Sequence, residues 1–205
     1  MPVKPPVLTL ITDSSRFSGE PFFGAVTAAL QGGVDAVLVR EKNMDSARLL
    51  AFASRLRQIT RQFQAKLMIH TQADIALAVD ADGVHLGSSD ISEVAATRAW
   101  LNDAGKTVSV SCHNLAELKA AEAVGADYIF LSPLFPTLSH PGAAHLGIEA
   151  FQQLAGSTAL PVVALGGINC ANRKLVPVSS CATISTILGA DDPQQNARLL
   201  AGCGR

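Results

Sequence analysis

The sequence predicts a compact, single-domain (β/α)8 barrel, an α/β fold filling residues 1–205. Three observations predict it. Eight short apolar runs rich in β-branched residues alternate with longer stretches, several of them of helical period. The runs are almost continuously apolar, as strands covered on both faces are, rather than alternating as half-exposed hairpins do. The 205 residues leave about 25 per βα unit, the lower edge for this fold, with nothing over for a second domain. A doubly wound open sheet is the structural alternative. It usually has fewer strands and an early G-x-G-x-x-G turn, whereas the first strand here runs into Thr12-Asp13-Ser14-Ser15.

The strands are expected at Val7–Ile11, Ala36–Val39, Lys66–Ile69, Gly83–Leu86, Val108–Ser111, Tyr128–Leu131, Val162–Leu165 and Ala182–Ile184. A helix is expected after each of them. The clearest runs from about Ser46 to Phe63, where Leu49, Phe52, Leu56, Ile59 and Phe63 form one apolar stripe of core-packing character. Another starts at Asn114, which with Glu117 makes a capping-box-like signal before Leu118 and Ala120–Ala123.

Composition narrows the function. With 48% hydrophobic and 16% charged residues the chain folds rather than staying disordered. Sixteen basic against seventeen acidic residues, a net charge of -1, give no global field for nucleic acid or an anionic membrane, though a local basic pocket is allowed. Cys112, Cys170, Cys181 and Cys203 show neither zinc spacing nor a disulfide framework, and buried free thiols in a reducing compartment are expected. The apolar stretch Val7–Ile11 is too short for a signal sequence or a membrane span, so a cytoplasmic protein is expected.

In a parallel barrel the strand ends converge on one face, so the residues that follow each strand are the candidate site. They are polar almost throughout: Arg40-Glu41-Lys42, His70-Thr71-Gln72, Ser88-Ser89-Asp90, Ser111-Cys112-His113, Ser132 to Gly142, Gly166-Gly167-Ile168-Asn169 and Ser185-Thr186. Gly166 and Gly167 allow close backbone approach to an anion, and Ser185 and Thr186 add hydroxyls in the eighth loop, beside the recurrent phosphate position of this fold. Arg40 and Lys42 project to one side of an extended segment and suit a second anionic group. Asp90 has the chemistry to hold a magnesium ion bridging phosphate oxygens. Each has a plainer alternative: Asp90 as a helix cap, Arg40 and Lys42 as a solvated charge run, the glycine pair as a tight turn, His85 as a satisfied core histidine and His113 as a turn residue.

Eight strings in register resemble the thiamine phosphate synthase and thiazole tautomerase family. They are Ile11-Thr12-Asp13, Val39-Arg40-Glu41-Lys42, Asp74 to Ala78, Ala81-Asp82-Gly83-Val84-His85-Leu86-Gly87, Ser109 to His113, Gly125 to Ile129, Phe135-Pro136-Thr137 and Val163 to Ile168. The resemblance covers nearly the whole chain and implies the same barrel fold. The stretch Ser139 to Ala143 also resembles a synthase-like domain found fused behind a Nudix hydrolase, of which these residues contain no part. The synthases join hydroxymethylpyrimidine diphosphate to thiazole phosphate and release pyrophosphate, so small phosphorylated pyrimidine and thiazole partners, and a magnesium cofactor, are implied. A homo-oligomer is compatible with the sequence. The resemblance places Arg40 and Lys42 on the pyrophosphate, Asp90 on magnesium and Ser111 on the pyrimidine or pyrophosphate. It places Thr137 and Ser139 in the loop after the sixth strand, His140 at the loop's cationic position, and Gly167 and Ser185 in the thiazole phosphate cradle.

The chain departs from the family pattern at the reacting end. Leu38 stands where the synthases have Gln, His70-Thr71 where they have Asn-Asp, and His140 where they have Lys, while Cys170–Cys181 is about two residues short. One of two magnesium carboxylates is thereby missing, and His70 becomes a candidate substrate contact. The tautomerase branch has a histidine where this chain has Pro133, although His70, His113 or His140 could carry a proton instead. A thiazole phosphate tautomerase-like isomerase and a catalytically idle binder of thiazole phosphate or thiamine phosphate therefore stand beside the synthase as alternatives.

Overall fold

The computed structural model describes residues 3–137 and 144–203. Its eight strands are β1 (Leu8–Ile11), β2 (Ala36–Val39), β3 (Lys66–His70), β4 (Gly83–Leu86), β5 (Thr107–Cys112), β6 (Tyr128–Leu131), β7 (Val162–Leu165) and β8 (Ser180–Thr183). Each pairs in parallel with its sequence neighbours, and β8 closes on β1. The strand runs read as continuously apolar because both faces are covered: Leu8 and Leu10 of β1 pack with the helices, while Ile11 joins Leu38, Met68, Tyr128, Phe130, Val163 and Ala182 in a second cluster inside the barrel.

The helices are α1 (Gly19–Gln31), α2 (Ser46–Gln62), α3 (Ala73–Ala78), α4 (Val94–Leu101), α5 (Leu115–Ala123), α6 (Gly147–Ala155), α7 (Ser185–Leu188) and α8 (Pro193–Gly202). In α2 the expected stripe is the buried face, with Leu49, Ala53 and Leu56 in the core and Phe52, Ile59 and Phe63 packed against it. Asn114 caps α5 as its sequence signal implies, its side chain accepting from Glu117 N–H at 3.0 Å. Glu117 returns the bond one residue further out, to His113 N–H at 2.7 Å.

Two expectations need correction. β7 and β8 are joined without an α-helix, by a connection holding a single 3-10 turn, Arg173–Leu175. This connection is pinned by Arg173, only 2% exposed, whose guanidinium donates to the carbonyls of Leu200, Val178 and Ser179. The thiols are not uniformly buried either: all four are free, but Cys170 is half-buried and Cys203 exposed. Burial pushes the Cys112 thiol up to about 12 and Cys181 to about 11, so neither is a nucleophile at neutral pH.

The face opposite the strand ends carries a repeated device that the sequence pattern did not disclose. Asp35, Asp82 and Asp127 each precede an even-numbered strand and accept a backbone N–H from the neighbouring odd-numbered one, from Leu8 at 2.9 Å, Leu67 at 2.8 Å and Val108 at 2.7 Å. Arg57 and Arg98 close on the second and third of these carboxylates at 2.7 and 2.9 Å. The three carboxylates fix strand register, and in this fold that face serves stability rather than chemistry. No helix among the described residues is long and apolar enough to cross a membrane.

Candidate active site

An open cavity of about 1280 Å³ occupies the face where the strands end. Its floor is the upper interior of the barrel, including Leu38, His85 and Phe130, and its walls are the βα loops. Arg40, Lys42, Ser111, Thr137, Gly166, Gly167, Ser185 and Thr186, all singled out from sequence, line this one space. Ser139 and His140 lie outside the described residues.

Arg40 and Lys42 follow β2 directly, and no salt bridge involves either of them among the described residues. Glu41 between them is already engaged: it accepts from Ser14 N–H at 3.1 Å and from Ser14 Oγ at 2.6 Å. That bond ties the β1 loop to the β2 loop and keeps the one adjacent carboxylate off the two cations. They are therefore left to meet an anion from solution.

Three strands round the barrel from β2, after β7, the glycine pair holds left-handed backbone, φ +102° at Gly166 and φ +65° at Gly167. It is also packed too closely for a side chain. A Cβ on Gly166 would stand 2.6 Å from Pro133 Cβ, and one on Gly167 would stand 2.2 Å from the carbonyl oxygen of Pro136. The pair is thus the joint between the β7 loop and the β6 loop, sealed by Phe135 N–H donating to Gly166 O at 3.0 Å. Of the two hydroxyls beyond β8, Thr186 Oγ1 donates to Ile168 O at 2.7 Å, so its proton is spent within the protein. The Ser185 hydroxyl has no hydrogen bond to another described residue, which leaves it the stronger donor for a bound anion.

Asp90 is neither a helix cap nor part of the cavity wall. It sits inside the 3-10 turn Ser88–Glu93, and its carboxylate accepts from Ser89 Oγ at 3.2 Å. Its field reaches His70, which lines a side pocket of about 210 Å³ together with Lys42, Glu41 and Thr71. Burial, reinforced by the charges of Arg40 and Lys42 and opposed by Asp90, lowers His70 to about 4. His70 is a neutral hydrogen-bonding group at physiological pH. His113 reaches the cavity rim but is held by Glu117, Nδ1 to Oε2 at 3.0 Å.

The first loop was missed from sequence. Asp13, Ser14 and Arg16 also line the cavity, as does His145 beyond the sixth strand. Burial raises the Asp13 carboxyl, but hydrogen bonds from Ser15 and Arg16 outweigh it and hold the group below its ordinary value. The string Ile11-Thr12-Asp13 marked that loop only as part of a resemblance.

Comparison with known proteins fits this arrangement. The model of the thiamine monophosphate synthase family matches residues 8–189. The chain belongs to that family. The thiamine-phosphate synthase of Chloroflexus aurantiacus is 36% identical over 197 residues, 94% of this chain and 90% of the relative. The thiamine-phosphate synthase of Pyrococcus furiosus is 37% identical over 188 residues, covering 90% and 88%. A solved thiamine phosphate pyrophosphorylase from Pyrococcus furiosus superposes with a TM-score of 0.84 at 34% identity, covering 96% of this chain and 94% of the other. A 3-hexulose-6-phosphate synthase structure, TM-score 0.75 at 18% identity, shares the barrel alone.

Proposed function

We propose that this family member is a thiamine phosphate synthase, a transferase joining hydroxymethylpyrimidine diphosphate to thiazole phosphate with release of pyrophosphate. The observation that carries the reading is a pair of cations, Arg40 and Lys42, with no salt bridge among the described residues, lining one cavity together with the glycine pair Gly166 and Gly167. The cations suit a leaving pyrophosphate and the glycine pair a phosphate monoester, so the pyrimidine methylene and the thiazole nitrogen meet between them.

The reaction asks little of acid–base chemistry. The C–O bond to pyrophosphate breaks, the methylene becomes cation-like, and the thiazole nitrogen captures it. What the protein supplies is neutralisation of the leaving group and alignment of two rings. Arg40 offers a planar fork and Lys42 a point charge to the departing oxygens. Ser111 stands on the floor between the walls. Gly166, Gly167 and Ser185 hold the thiazole phosphate. Phe130 and Leu38 give the ring site an apolar floor that keeps water from the cationic carbon. Pro133, packed against Gly166, leaves no proton carrier where the tautomerase branch has one.

Magnesium fits the donors present in one way. No cluster of three acidic, histidine or cysteine side chains among the described residues makes a metal cage. Asp90 lies outside the cavity lining but near enough for its charge to act on His70 of the side pocket, and its carboxylate's one side-chain hydrogen bond among the described residues is a long one from Ser89 Oγ. Magnesium is commonly held by one or two carboxylates plus substrate phosphates and water, and Asp90 would be the protein's share. When bound, the ion would neutralise pyrophosphate charge. Four free thiols suit a reducing, cytoplasmic setting.

The test is turnover. Purified protein with both substrates and Mg²⁺ forms thiamine phosphate and pyrophosphate; binding of both substrates without product would refute the reading.

A further inference from the structure

His85 is the one buried histidine among the described residues, 3% exposed, and both its ring nitrogens are occupied. Nδ1 lies 2.9 Å from Ser109 Oγ and Nε2 lies 2.9 Å from Ser111 Oγ. The register of β4 on β5 places His85 opposite Ser109, and the period of two along β5 turns Ser109 and Ser111 to the same inner face. Phe130 packs on the ring with centroids 4.5 Å apart and holds its plane. Below, Ser109 and Thr107 act on the Tyr128 hydroxyl, holding down a pKa that burial raises, and the Thr107 hydroxyl stands 3.7 Å from Met68 Sδ. A file of polar groups therefore stands in the apolar barrel core, and its hydrogen-bonded top, Ser109, His85 and Ser111, ends in the cavity floor. The synthase reading uses only Ser111.

The hydrogen-bonded top has two self-consistent proton arrangements. In one, the bonds run downward: Ser111 Oγ–H donates to Nε2, and Nδ1–H donates to Ser109 Oγ. Ser111 then shows only lone pairs to the cavity. In the other, the bonds run upward, Nε2–H donates to Ser111 Oγ, and the Ser111 proton points into the cavity. Both need a neutral ring that donates from one nitrogen and accepts at the other. The ring is neutral: burial first, then His70 and Arg40, lower His85 to about 3. A ligand that presents anionic oxygen beside Arg40 is met by a lone pair in the first arrangement and by a donor in the second.

We propose that His85 is a positioning residue: in its Nε2–H tautomer it donates to Ser111 Oγ and turns the Ser111 hydroxyl proton toward the anionic oxygen of the bound diphosphate. His85 itself neither takes nor gives a proton in the reaction. The anion chooses the arrangement, and Ser109 Oγ serves Nδ1 in either state, accepting in one and donating in the other. This rests on the synthase reading for the identity of the ligand, but not for the behaviour of these three groups.

Two measurements test it. The first is a double-mutant cycle on synthase turnover with Ser111→Ala, His85→Phe and the double variant, with urea midpoints measured for each. If His85 acts only through Ser111, kcat falls by about 10-fold or more in each single variant, the scale of one hydrogen bond to a charged group, and the double variant lies within threefold of Ser111→Ala. KM for the thiazole phosphate stays within threefold of wild type. Losses that multiply in the double variant, or a folded His85→Phe protein with wild-type kcat, would overturn the proposal. The second is ¹⁵N NMR of the wild-type imidazole, which does not depend on any variant folding. On addition of inorganic pyrophosphate with Mg²⁺ the His85 ring is expected as the Nε2–H tautomer. An Nδ1–H ring in that complex, or no response at millimolar pyrophosphate, would overturn it. The NMR arm reads anion binding and not turnover, so an inactive wild type would refute the synthase reading while the tautomer still decides the role of His85.

Discussion

Replacing Gly167 with alanine perturbs the joint on which the proposed phosphate wall is built. Two costs add. At φ +65° a side chain sits in the left-handed region, worth about 1–2 kcal/mol for a residue other than glycine. The new Cβ would also stand 2.2 Å from Pro136 O and 2.9 Å from both Phe135 Cβ and Phe135 O. Two of these three neighbours are backbone atoms, so the β6 loop must shift, and overpacking of this kind costs about 1–3 kcal/mol. The expected loss is about 2–5 kcal/mol, read from equilibrium urea unfolding. Gly24→Ala is the control. Gly24 lies in α1, and a Cβ there would meet nothing within 4 Å, so alanine stabilises by about 0.5–1 kcal/mol through helix propensity. In the surviving fraction of Gly167→Ala protein, KM for the thiazole phosphate rises more than KM for the pyrimidine diphosphate. A Gly167→Ala protein within 0.5 kcal/mol of wild type would refute the close-packed joint.

Other outcomes follow from the same geometry. Arg40→Ala lowers kcat/KM for the pyrimidine diphosphate by about 100-fold or more, the scale of about 2.7–4 kcal/mol for one lost electrostatic contact, with the urea midpoint nearly unchanged because no described salt bridge is broken. Asp127→Ala does the reverse: losing the bonds to Val108 N–H and Arg98 costs about 1.5–3 kcal/mol of stability, while kcat in the folded enzyme stays at the wild-type value. His70, lowered to about 4, binds fewer protons folded than unfolded once the pH drops below about 6.5. Its contribution is fully present above that pH and is lost toward pH 4 at about 1.4 kcal/mol per pH unit, so His70→Asn flattens stability measured between pH 7 and 5. Asp90→Asn raises the Mg²⁺ concentration for half-maximal turnover and leaves the urea midpoint within 0.5 kcal/mol of wild type, since only the Ser89 contact is at stake.

The barrel was legible because its strands are buried on both faces, so local composition alone marks them, and seven of the eight predicted strands both start and end within one residue of where they do in the structure. β8 is shifted, lying at Ser180–Thr183 rather than Ala182–Ile184, because Ser180 faces inward with its polar group buried and gives no apolar signal. The missing helix between β7 and β8 was hidden for a similar reason: Arg173 reads as a surface charge, yet it is the group that holds the connection together. Arg40 and Lys42 were legible from their spacing after β2. That neither has a salt bridge among the described residues was not, because it depends on Ser14, 27 residues before Glu41, engaging the carboxylate between them. The contact between His85 and Ser111 likewise needs the register of β4 on β5, which no local pattern carries. For Asp90 the plainer alternative of a helix cap falls away, since it lies inside a 3-10 turn rather than before a helix.

The most direct test of the account is the stoichiometry of turnover. Purified protein is given hydroxymethylpyrimidine diphosphate, thiazole phosphate and Mg²⁺, and thiamine phosphate and pyrophosphate are quantified together against reactions lacking either substrate. The proposed synthase site, with Arg40 and Lys42 on the leaving pyrophosphate and the glycine pair on the thiazole phosphate, predicts one pyrophosphate per thiamine phosphate, formed only when both substrates are present. Binding of both without product, or pyrophosphate released with no thiamine phosphate formed, would contradict it.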